Sequence, residues 1–390
     1  MSAPRLEIDL DKIRHNARTL VARLAGRDIS VTGVTKATLG SPAVAGALLS
    51  AGVKVLGDSR IENIEVLRRA RVPASMILLR APMLSQATRV VAHADVSFNT
   101  EIDVIRALSS AAQASGRRHG VVLMVELGDL REGIMPGELE HAARETLGLP
   151  NIALRGIGAN LACRSGVSPD ARNMAELSAL ADSLDAALGQ RLGIVSGGNS
   201  ANLDWALGTA DTGRINNLRL GESILLGREP LRRSPIDGLH CDAISLVAEV
   251  IESSTKPSRP WGTLAETAFG TPPPSADRGD ASQVIFALGR QDTDPEGLHA
   301  PPGIAILGAS SDHLVADSGH DRLSVGAEIR FQLDYSALLH AMTSPFVAKI
   351  MRTPAHAEPH DRPRRDLPHG ILPRAGRIGA PRSVVSRPHV

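Results

Sequence analysis

Aromatic residues and cysteines are scarce in this sequence of 390 residues, and their scarcity narrows the chemistry that it can perform. Aromatic residues make up 2%, and Tyr335 is the only tyrosine. Cys163 and Cys241 are the only cysteines, which is too few for a disulfide framework and compatible with a reducing compartment. A tyrosine that acts as an acid or base therefore has a single source.

Long apolar runs and excess charge are also missing. There is no run of roughly 18 or more apolar residues and no basic-plus-apolar leader before Leu6, so neither a membrane span nor a signal peptide is predicted. The formal charge of +1 gives no reason to expect a nucleic-acid partner. We expect a cytoplasmic protein of one large or two ordinary domains, without a metal site.

Lysine is rare as well, since only five lysines occur among the 43 basic residues. One of them, Lys36, follows an apolar β-type run and precedes a glycine-closed turn in residues 29–40 (ISVTGVTKATLG). An amine can form a Schiff base with a carbonyl group, and a guanidinium cannot. For this residue taken alone, the alternative is a structural lysine at the end of a strand.

Short β-rich runs alternate with helical patterns over about the first 230 residues. Helices are predicted at residues 11–24, capped by Asp11, and at residues 42–51, 101–115, 138–147 and 170–188. Eight strand–helix repeats predict an α/β fold, a (β/α)8 TIM barrel. A doubly wound sheet is the alternative, although VTKATLG is not a GxGxxG fingerprint. The strands are expected to start near Ile29, Val53, Ala74, Val96, Gly120, Ile152, Gly193 and Ile215.

The pattern changes after Gly227. β-like runs separated by Gly, Pro and Asp predict a C-terminal mainly-β domain at residues 231–352, after a barrel domain at residues 1–230 whose first ten residues could join the β domain. Residues 353–390 are rich in Pro and Arg and are expected to be disordered.

In a barrel, chemistry lies at the carboxyl ends of the strands, and this places Lys36 on the same rim as two glycine-containing turns. Residues 196–200 (SGGNS) follow the seventh strand and could offer backbone N–H groups and a hydroxyl to a phosphate. Pyridoxal 5'-phosphate has both an aldehyde for Lys36 and a phosphate for that turn. Arg219, at the end of the eighth strand, could approach its pyridine nitrogen and favour simple proton exchange at Cα.

Several ordered motifs strengthen this hypothesis, because together they resemble the alanine racemase fold and most of all its ornithine racemase branch. The resemblance covers residues 4–351 and implies a pyridoxal phosphate-dependent racemase, paired head to tail as a homodimer with shared active sites. The motifs are VTGVTKATLG, GDSRIEN, LGDLREGI, GIGANLAC, VSGGNSANL, INNLRLGESILLG, LGRQDTDPEG, LGASSDHL and LDYSALLHAMTSPFV.

The resemblance also implies roles for individual residues. Lys36 is the implied Schiff-base lysine, which also exchanges the proton on one face of Cα. Arg131 and the partner subunit's segment around Ser311 are implied to meet the substrate carboxylate. Asn160 stands where the family has a histidine near the cofactor ring. The implied cofactor-binding residues are Lys36, Asn160, Asn199, Ser200, Arg219, Gly221 and Glu222.

The sequence departs from the family where a tyrosine base is expected, because residues 266–270 (ETAFG) place Phe269 there. Two-base racemisation still needs an acid or base on the opposite face of the substrate. Asp312 and His313, supplied by the other subunit, are the first candidates, and Cys163 is the third. Tyr335 is not an easy replacement, since it stands at the start of an apolar run.

Ornithine is the predicted substrate, with alanine or a broader range as the alternative. A non-enzymatic pyridoxal phosphate carrier has a similar lysine motif, but the β region after Gly227 argues against it. A decarboxylase is disfavoured, since an arginine at the pyridine nitrogen stabilises carbanions poorly.

Overall fold

The computed structural model describes residues 3–270, 277–320 and 322–353. The predicted disordered tail lies outside the described residues, apart from Thr353. None of the helices in these ranges is long and apolar enough to cross a lipid bilayer.

The chain begins with strand β1 (Arg5–Asp9) and helix α1 (Leu10–Ala25), and then forms a closed eight-stranded parallel barrel. Every barrel strand starts within two residues of its predicted position, so the TIM-barrel prediction is confirmed. The last barrel strand, β9, pairs in parallel with the first barrel strand, β2, and this closure rules out the open doubly wound sheet. The barrel strands are β2 (Ser30–Val34), β3 (Val55–Asp58), β4 (Ser75–Leu78), β5 (Val96–Asn99), β6 (His119–Val125), β7 (Ile152–Ala159), β8 (Ile194–Gly198) and β9 (Asn217–Leu220).

The helices of the barrel cover its strands through apolar faces, as the buried Ile13, Leu20 and Leu24 of α1 illustrate. The helices are α2 (Pro42–Ser50), α3 (Ile61–Arg69), α4 (Ala87–His93), α5 (Ile102–Ala114), α6 (Leu139–Gly148), α7 (Ala171–Leu188), α8 (Leu203–Leu207) and α9 (Glu222–Leu226).

The expected cap of the first helix was wrong by two residues. Asp9, not Asp11, has extended backbone, and its carboxylate accepts hydrogen bonds from the N–H groups of Asp11 and Lys12, both at 3.0 Å. The helix starts earlier than its apolar pattern because Leu10 already adopts helical geometry. Asp11 therefore lies in the first turn, where its negative charge interacts favourably with the positive end of the helix dipole.

The described part of the C-terminal region forms a mainly antiparallel sheet and an α-helix. Strand β1 belongs to this sheet, since it pairs antiparallel with β10 and parallel with β16. Helix α10 packs against the turn that carries Lys36 at the barrel mouth. The elements are β10 (Ile244–Pro257), β11 (Asp280–Phe286), β12 (Leu298–His299), β13 (Ala305–Ala309), β14 (Leu314–Asp317), β15 (Glu328–Leu333), α10 (Tyr335–Thr343) and β16 (Ala348–Arg352).

A buried histidine links two neighbouring barrel strands. The Nε2 of His119, on β6, is 2.8 Å from the Oγ of Ser97, on β5, and Asn99 donates a hydrogen bond to the same hydroxyl. Only 1% of His119 is exposed, and this burial lowers its pKa to about 4. The folded protein therefore holds this imidazole neutral.

His119 should make stability fall between neutral and mildly acidic pH. The unfolded chain binds a proton near pH 6.5 and the folded chain near pH 4, so protonation favours unfolding over this window. From pH 7.5 to pH 5 we expect His119 to contribute a loss of about 2 kcal/mol. Urea unfolding of His119→Gln should show a correspondingly smaller loss. The control His141→Gln, at an exposed position, should behave as the wild type. Equal losses in all three proteins would contradict this role.

Candidate active site

A cavity of about 780 Å³ opens at the carboxyl ends of the barrel strands, below α10. The structure therefore brings most of the predicted site residues together at one rim, although their sequence positions span nearly 190 residues. The predicted residues that line the cavity are Lys36, Arg131, Asn160, Cys163, Asn199, Ser200, Arg219, Gly221 and Glu222.

Lys36 lies in a tight turn at the end of β2, residues 35–40, which we call the Lys36 turn. Leu39 and Gly40 close it in left-handed conformations, with φ of 52° and 64°. The lysine is half-buried, and its Nζ is 5.6 Å from the centroid of the Tyr335 ring on α10. Its amine thus lies between the barrel rim and the C-terminal region.

Arg219 is a buried charged residue of the site and is only 5% exposed. Its guanidinium donates hydrogen bonds to the Oγ of Ser196 at 2.6 Å and to the backbone oxygen of Ala159 at 2.8 Å. It also lies over the ring of Phe98, 5.2 Å from the centroid. Burial lowers its pKa to about 10, so the group remains charged at neutral pH.

Asn160 and Asn199 form the wall beside Arg219. The Oδ1 of Asn160 accepts hydrogen bonds from Arg219 at 3.2 Å and from the Nδ2 of Asn199 at 3.1 Å. The Nδ2 of Asn160 is buried and has no hydrogen-bond partner among the described residues. A buried donor without a partner costs free energy, so this position suits a bound acceptor.

The turn after β8 differs from the expected row of free backbone N–H groups. The N–H of Asn199 donates to the Oδ1 of Asn202 at 3.0 Å, and that of Ala201 donates to the Oδ1 of Asn199 at 2.8 Å. The N–H of Asn199 is therefore already bonded, although it was one of the donors that the sequence suggested for a phosphate. Gly198 permits this arrangement, because a Cβ there would lie 2.0 Å from the Oδ1 of Asn202.

The neighbouring turn after β9 keeps its backbone close to the cavity. The Ser200 hydroxyl accepts a hydrogen bond from the N–H of Ser223 at 3.2 Å, which links the two turns. A Cβ on Gly221 would lie 3.1 Å from that of Val34, so a larger residue would crowd β2. Burial raises the pKa of the next residue, Glu222, to about 7, while Arg233 and Lys36 oppose the shift.

Arg131 pairs with the next residue in the chain, and hydrogen bonds to a second loop fix the loop that carries it. Its guanidinium pairs with the carboxylate of Glu132. The loop is fixed by the buried Asp129, which accepts hydrogen bonds from the N–H groups of Arg164 and Ser165, both at 3.0 Å. This places Arg131 and Cys163 on adjoining loops of the same cavity.

The predicted C-terminal residues lie elsewhere. Asp312 and His313 are exposed and, like Ser311, are outside the cavity lining. Asp312 accepts hydrogen bonds from the Nε2 of Gln291 at 2.9 Å and from the Ser311 hydroxyl at 2.6 Å. Phe269 is 53% exposed.

Tyr335 is the cavity residue that the sequence interpretation set aside. It opens α10, which Asp334 caps by accepting a hydrogen bond from the N–H of Ala337 at 2.9 Å. Its hydroxyl is buried, and in the described part of the chain no group bonds to it. Burial raises the Tyr335 pKa, so the phenol is a proton-bearing donor at neutral pH. An aspartate directly before an apolar run was the available signal for this helix start.

Comparison with known proteins gives the class to which this fold and site belong. Residues 8–229 match the family model for the alanine racemase N-terminal domain. The chain is 39% identical to an ornithine racemase of Acetoanaerobium sticklandii, over 89% of this chain and 99% of that protein. It is 38% identical to a lysine racemase of Thermotoga maritima, over 90% and 99%. Alanine racemase from Streptomyces lavendulae shares the fold, with a TM-score of 0.70 and 19% identity over 90% of this chain and 98% of that one.

The chain therefore belongs to the alanine racemase family, and the resemblance noted from its motifs is confirmed. It is an enzyme of the amino-acid racemase class.

The raised pKa of Glu222 gives a stability prediction for the ligand-free protein. The unfolded carboxyl titrates near pH 4.5 and the folded one near pH 7, so ionisation destabilises the fold increasingly over this range. Glu222→Gln, which is always neutral, should be more stable than the wild type by on the order of 3 kcal/mol at pH 8 and nearly equal at pH 4.5. Urea unfolding at both pH values measures this.

The matched control is Glu176→Gln, at an exposed position on α7. It should leave the difference between pH 4.5 and pH 8 unchanged. If the stability of Glu222→Gln depends on pH as that of the wild type does, the fold does not raise the pKa of the Glu222 carboxyl.

Proposed function

We propose that this racemase uses pyridoxal 5'-phosphate and acts on an amino acid with a cationic side chain, with ornithine as the first choice. The observation that carries the proposal is the cavity itself, in which Lys36 shares one chamber with Arg219 and with the Ser200 and Gly221 turns. The names of the two relatives that match over nearly their whole length, an ornithine racemase and a lysine racemase, support the substrate class.

The residues present fit this cofactor. The Asn160 amide and the Tyr335 hydroxyl are buried donors that lack partners among the described residues, and the cofactor carries oxygen acceptors. At Gly221 the backbone carries no side chain that would block a phosphate. We assign the cofactor contacts to Lys36, Asn160, Asn199, Ser200, Arg219, Gly221 and Glu222, the last through its backbone.

When bound, the cofactor supplies an aldehyde that condenses with amines and a ring that withdraws electrons from Cα. Arg219 keeps its proton at neutral pH because its pKa is about 10, and Ser196 and Ala159 fix its orientation. It therefore donates hydrogen bonds without transferring a proton, and this suits simple exchange of the α-proton. Arg131 and the partner subunit's Ser311 are assigned to the substrate carboxylate.

Inversion requires proton transfer on both faces of Cα. We assign one face to Lys36. For the other face, Asp312 and His313 require a second subunit, since both lie outside the cavity of their own chain. Cys163 lines the cavity of the same chain and is the alternative.

The reaction can be tested directly in deuterated water. The purified protein with pyridoxal phosphate should convert L-ornithine to a racemic mixture and label Cα with deuterium, whereas L-alanine should react far more slowly. Chiral chromatography and mass spectrometry measure both changes, and L-lysine tests the breadth of the substrate class. Lys36→Ala should abolish both inversion and labelling, and the control Lys349→Ala should leave both intact, because Lys349 lies in β16 outside the cavity. Absence of labelling with every amino acid would refute the proposed reaction.

We also propose a head-to-tail homodimer in which Asp312 of one subunit completes the site around Lys36 of the other. Mixing Lys36→Ala and Asp312→Ala proteins, after dissociation and reassociation, should produce heterodimers with one intact site. If subunits pair at random, half of the dimers are mixed, so about a quarter of wild-type activity should return.

The control for this experiment is the double variant mixed with wild-type protein. Its mixed dimers contain no intact site, so only the wild-type dimers should be active. Failure of the two single variants to complement each other would place Asp312 and Lys36 in the same site of one chain. Full activity of the Asp312→Ala protein on its own would show that Asp312 has no role.

A further inference from the structure

The segment that starts with the last residue of β3, residues 58–63 (DSRIEN), lies beside the Lys36 turn. Neither the cofactor contacts nor the proton transfers proposed above use it. We propose that Asp58, together with Asn63, is a positioning residue that holds the Lys36 turn in place, so that the Lys36 amine reaches the cofactor aldehyde. The inference rests on the proposed role of Lys36. Neither Asp58 nor Asn63 lines the cavity, so they act through the turn and not on the substrate.

Asp58 is only 1% exposed and fixes the first residue of the turn. Its Oδ2 accepts a hydrogen bond from the Oγ1 of Thr35 at 2.7 Å, directly before Lys36 in the chain. The N–H of Thr35 also donates to the backbone oxygen of Gly57 at 2.9 Å. The start of the Lys36 turn is thus attached to the end of β3 through both its backbone and its side chain.

Asn63 packs against the other end of the same turn. Its Nδ2 donates to the Oδ1 of Asp58 at 3.0 Å, so the two side chains form one unit. Gly40, which closes the turn with φ of 64°, lies so close to Asn63 that a Cβ at position 40 would be 2.6 Å from the Asn63 backbone oxygen. A single neighbouring segment therefore holds the turn by hydrogen bonds at residue 35 and packs closely against it at residue 40.

The carboxylate is held by neutral donors. Among the described residues, Asp58 accepts hydrogen bonds from the Thr35 hydroxyl, the N–H of Arg60 at 2.9 Å and the Asn63 amide, and no cationic side chain pairs with it. Burial raises its pKa, and these hydrogen bonds oppose the rise. Loss of a donor would leave a buried carboxylate oxygen without a partner, which is more costly than loss of a surface contact.

This arrangement matters because a lysine side chain is long and flexible. An amine on a four-carbon stem reaches one point reliably only when its Cα is held firmly. The hydrogen bonds among Thr35, Asp58 and Asn63 hold the backbone of the Lys36 turn at the barrel rim. They do so without contact between Asp58 or Asn63 and the cavity.

The inference is tested by comparing two ligands that differ only at the reacting atom. Pyridoxal phosphate can bond to Lys36, whereas pyridoxine 5'-phosphate has an alcohol in place of the aldehyde and uses only the phosphate and ring contacts. Calorimetric and absorbance titrations give the dissociation constant of each ligand for cofactor-free wild-type protein and for Asp58→Asn, Thr35→Val and Thr35→Ser.

We expect Asp58→Asn and Thr35→Val to bind pyridoxal phosphate about tenfold more weakly, since Asp58→Asn replaces a buried accepting oxygen by a donor and Thr35→Val removes the hydroxyl that donates to Asp58. Their affinity for pyridoxine phosphate should remain within twofold of wild type. Thr35→Ser keeps the hydroxyl and should restore wild-type binding of both ligands. The control Thr146→Val removes a buried hydroxyl in α6 that donates a hydrogen bond to the backbone oxygen of Ala142, and it should bind both ligands normally.

The inference is overturned if both variants bind both ligands as wild type does, or if they lose affinity for both equally, because neither result is specific to Lys36. If Asp58→Asn does not fold, the comparison of Thr35→Val with Thr35→Ser decides the question. A wild-type protein that binds the aldehyde no more tightly than the alcohol contradicts the cofactor role of Lys36, and this inference with it. A wild-type preference that persists unchanged in the variants overturns this inference alone.

Discussion

The site depends on the pairing of β2 with β9, which closes the barrel. This parallel pairing aligns Gly33 with Leu220, so the turns that follow the two strands emerge side by side. Lys36 and Gly221 are thereby neighbours in space although they are far apart in the chain. A register shift of one residue would turn the inward side chains of a strand outward. The apolar pattern that sets the register of β2 and β9 therefore also sets the positions of the site residues that follow these strands.

Arg219 shows a second constraint, the burial of a charge without an opposite charge. Its partners in the described part of the chain are a hydroxyl, a carbonyl oxygen, an amide oxygen and the face of Phe98. A carboxylate in contact would balance the positive charge of the guanidinium. These neutral groups fix the orientation of the guanidinium and leave its charge unbalanced. Ser196 in turn donates to the Oδ1 of Asn217 at 2.7 Å, so the orientation of the guanidinium is determined by residues deep inside the barrel.

The barrel was predictable because each strand is a short apolar run bounded by turn residues, and local patterns of this kind are independent of distant parts of the chain. The cavity residues that follow the strands were predictable for the same reason. The Asp9 cap was missed because the apolar periodicity of α1 does not show where helical backbone begins. The position of Tyr335 follows from contact between segments that are distant in sequence. The side-chain caps at Asn199 and Ala201 follow from side-chain rotamers. Neither feature leaves a periodic signal in the sequence.

The placement of β1 bears on how the molecule is assembled during synthesis. Its partners are β10 and β16, so β1 pairs with strands that are made after all eight barrel strands. The strands of the barrel pair only with one another in the described part of the chain. Helix α10 then brings Tyr335 over the Lys36 turn. During synthesis all the barrel strands therefore precede the helix that forms the upper wall of the cavity. The cavity is complete only once α10 has been made and has packed against the Lys36 turn.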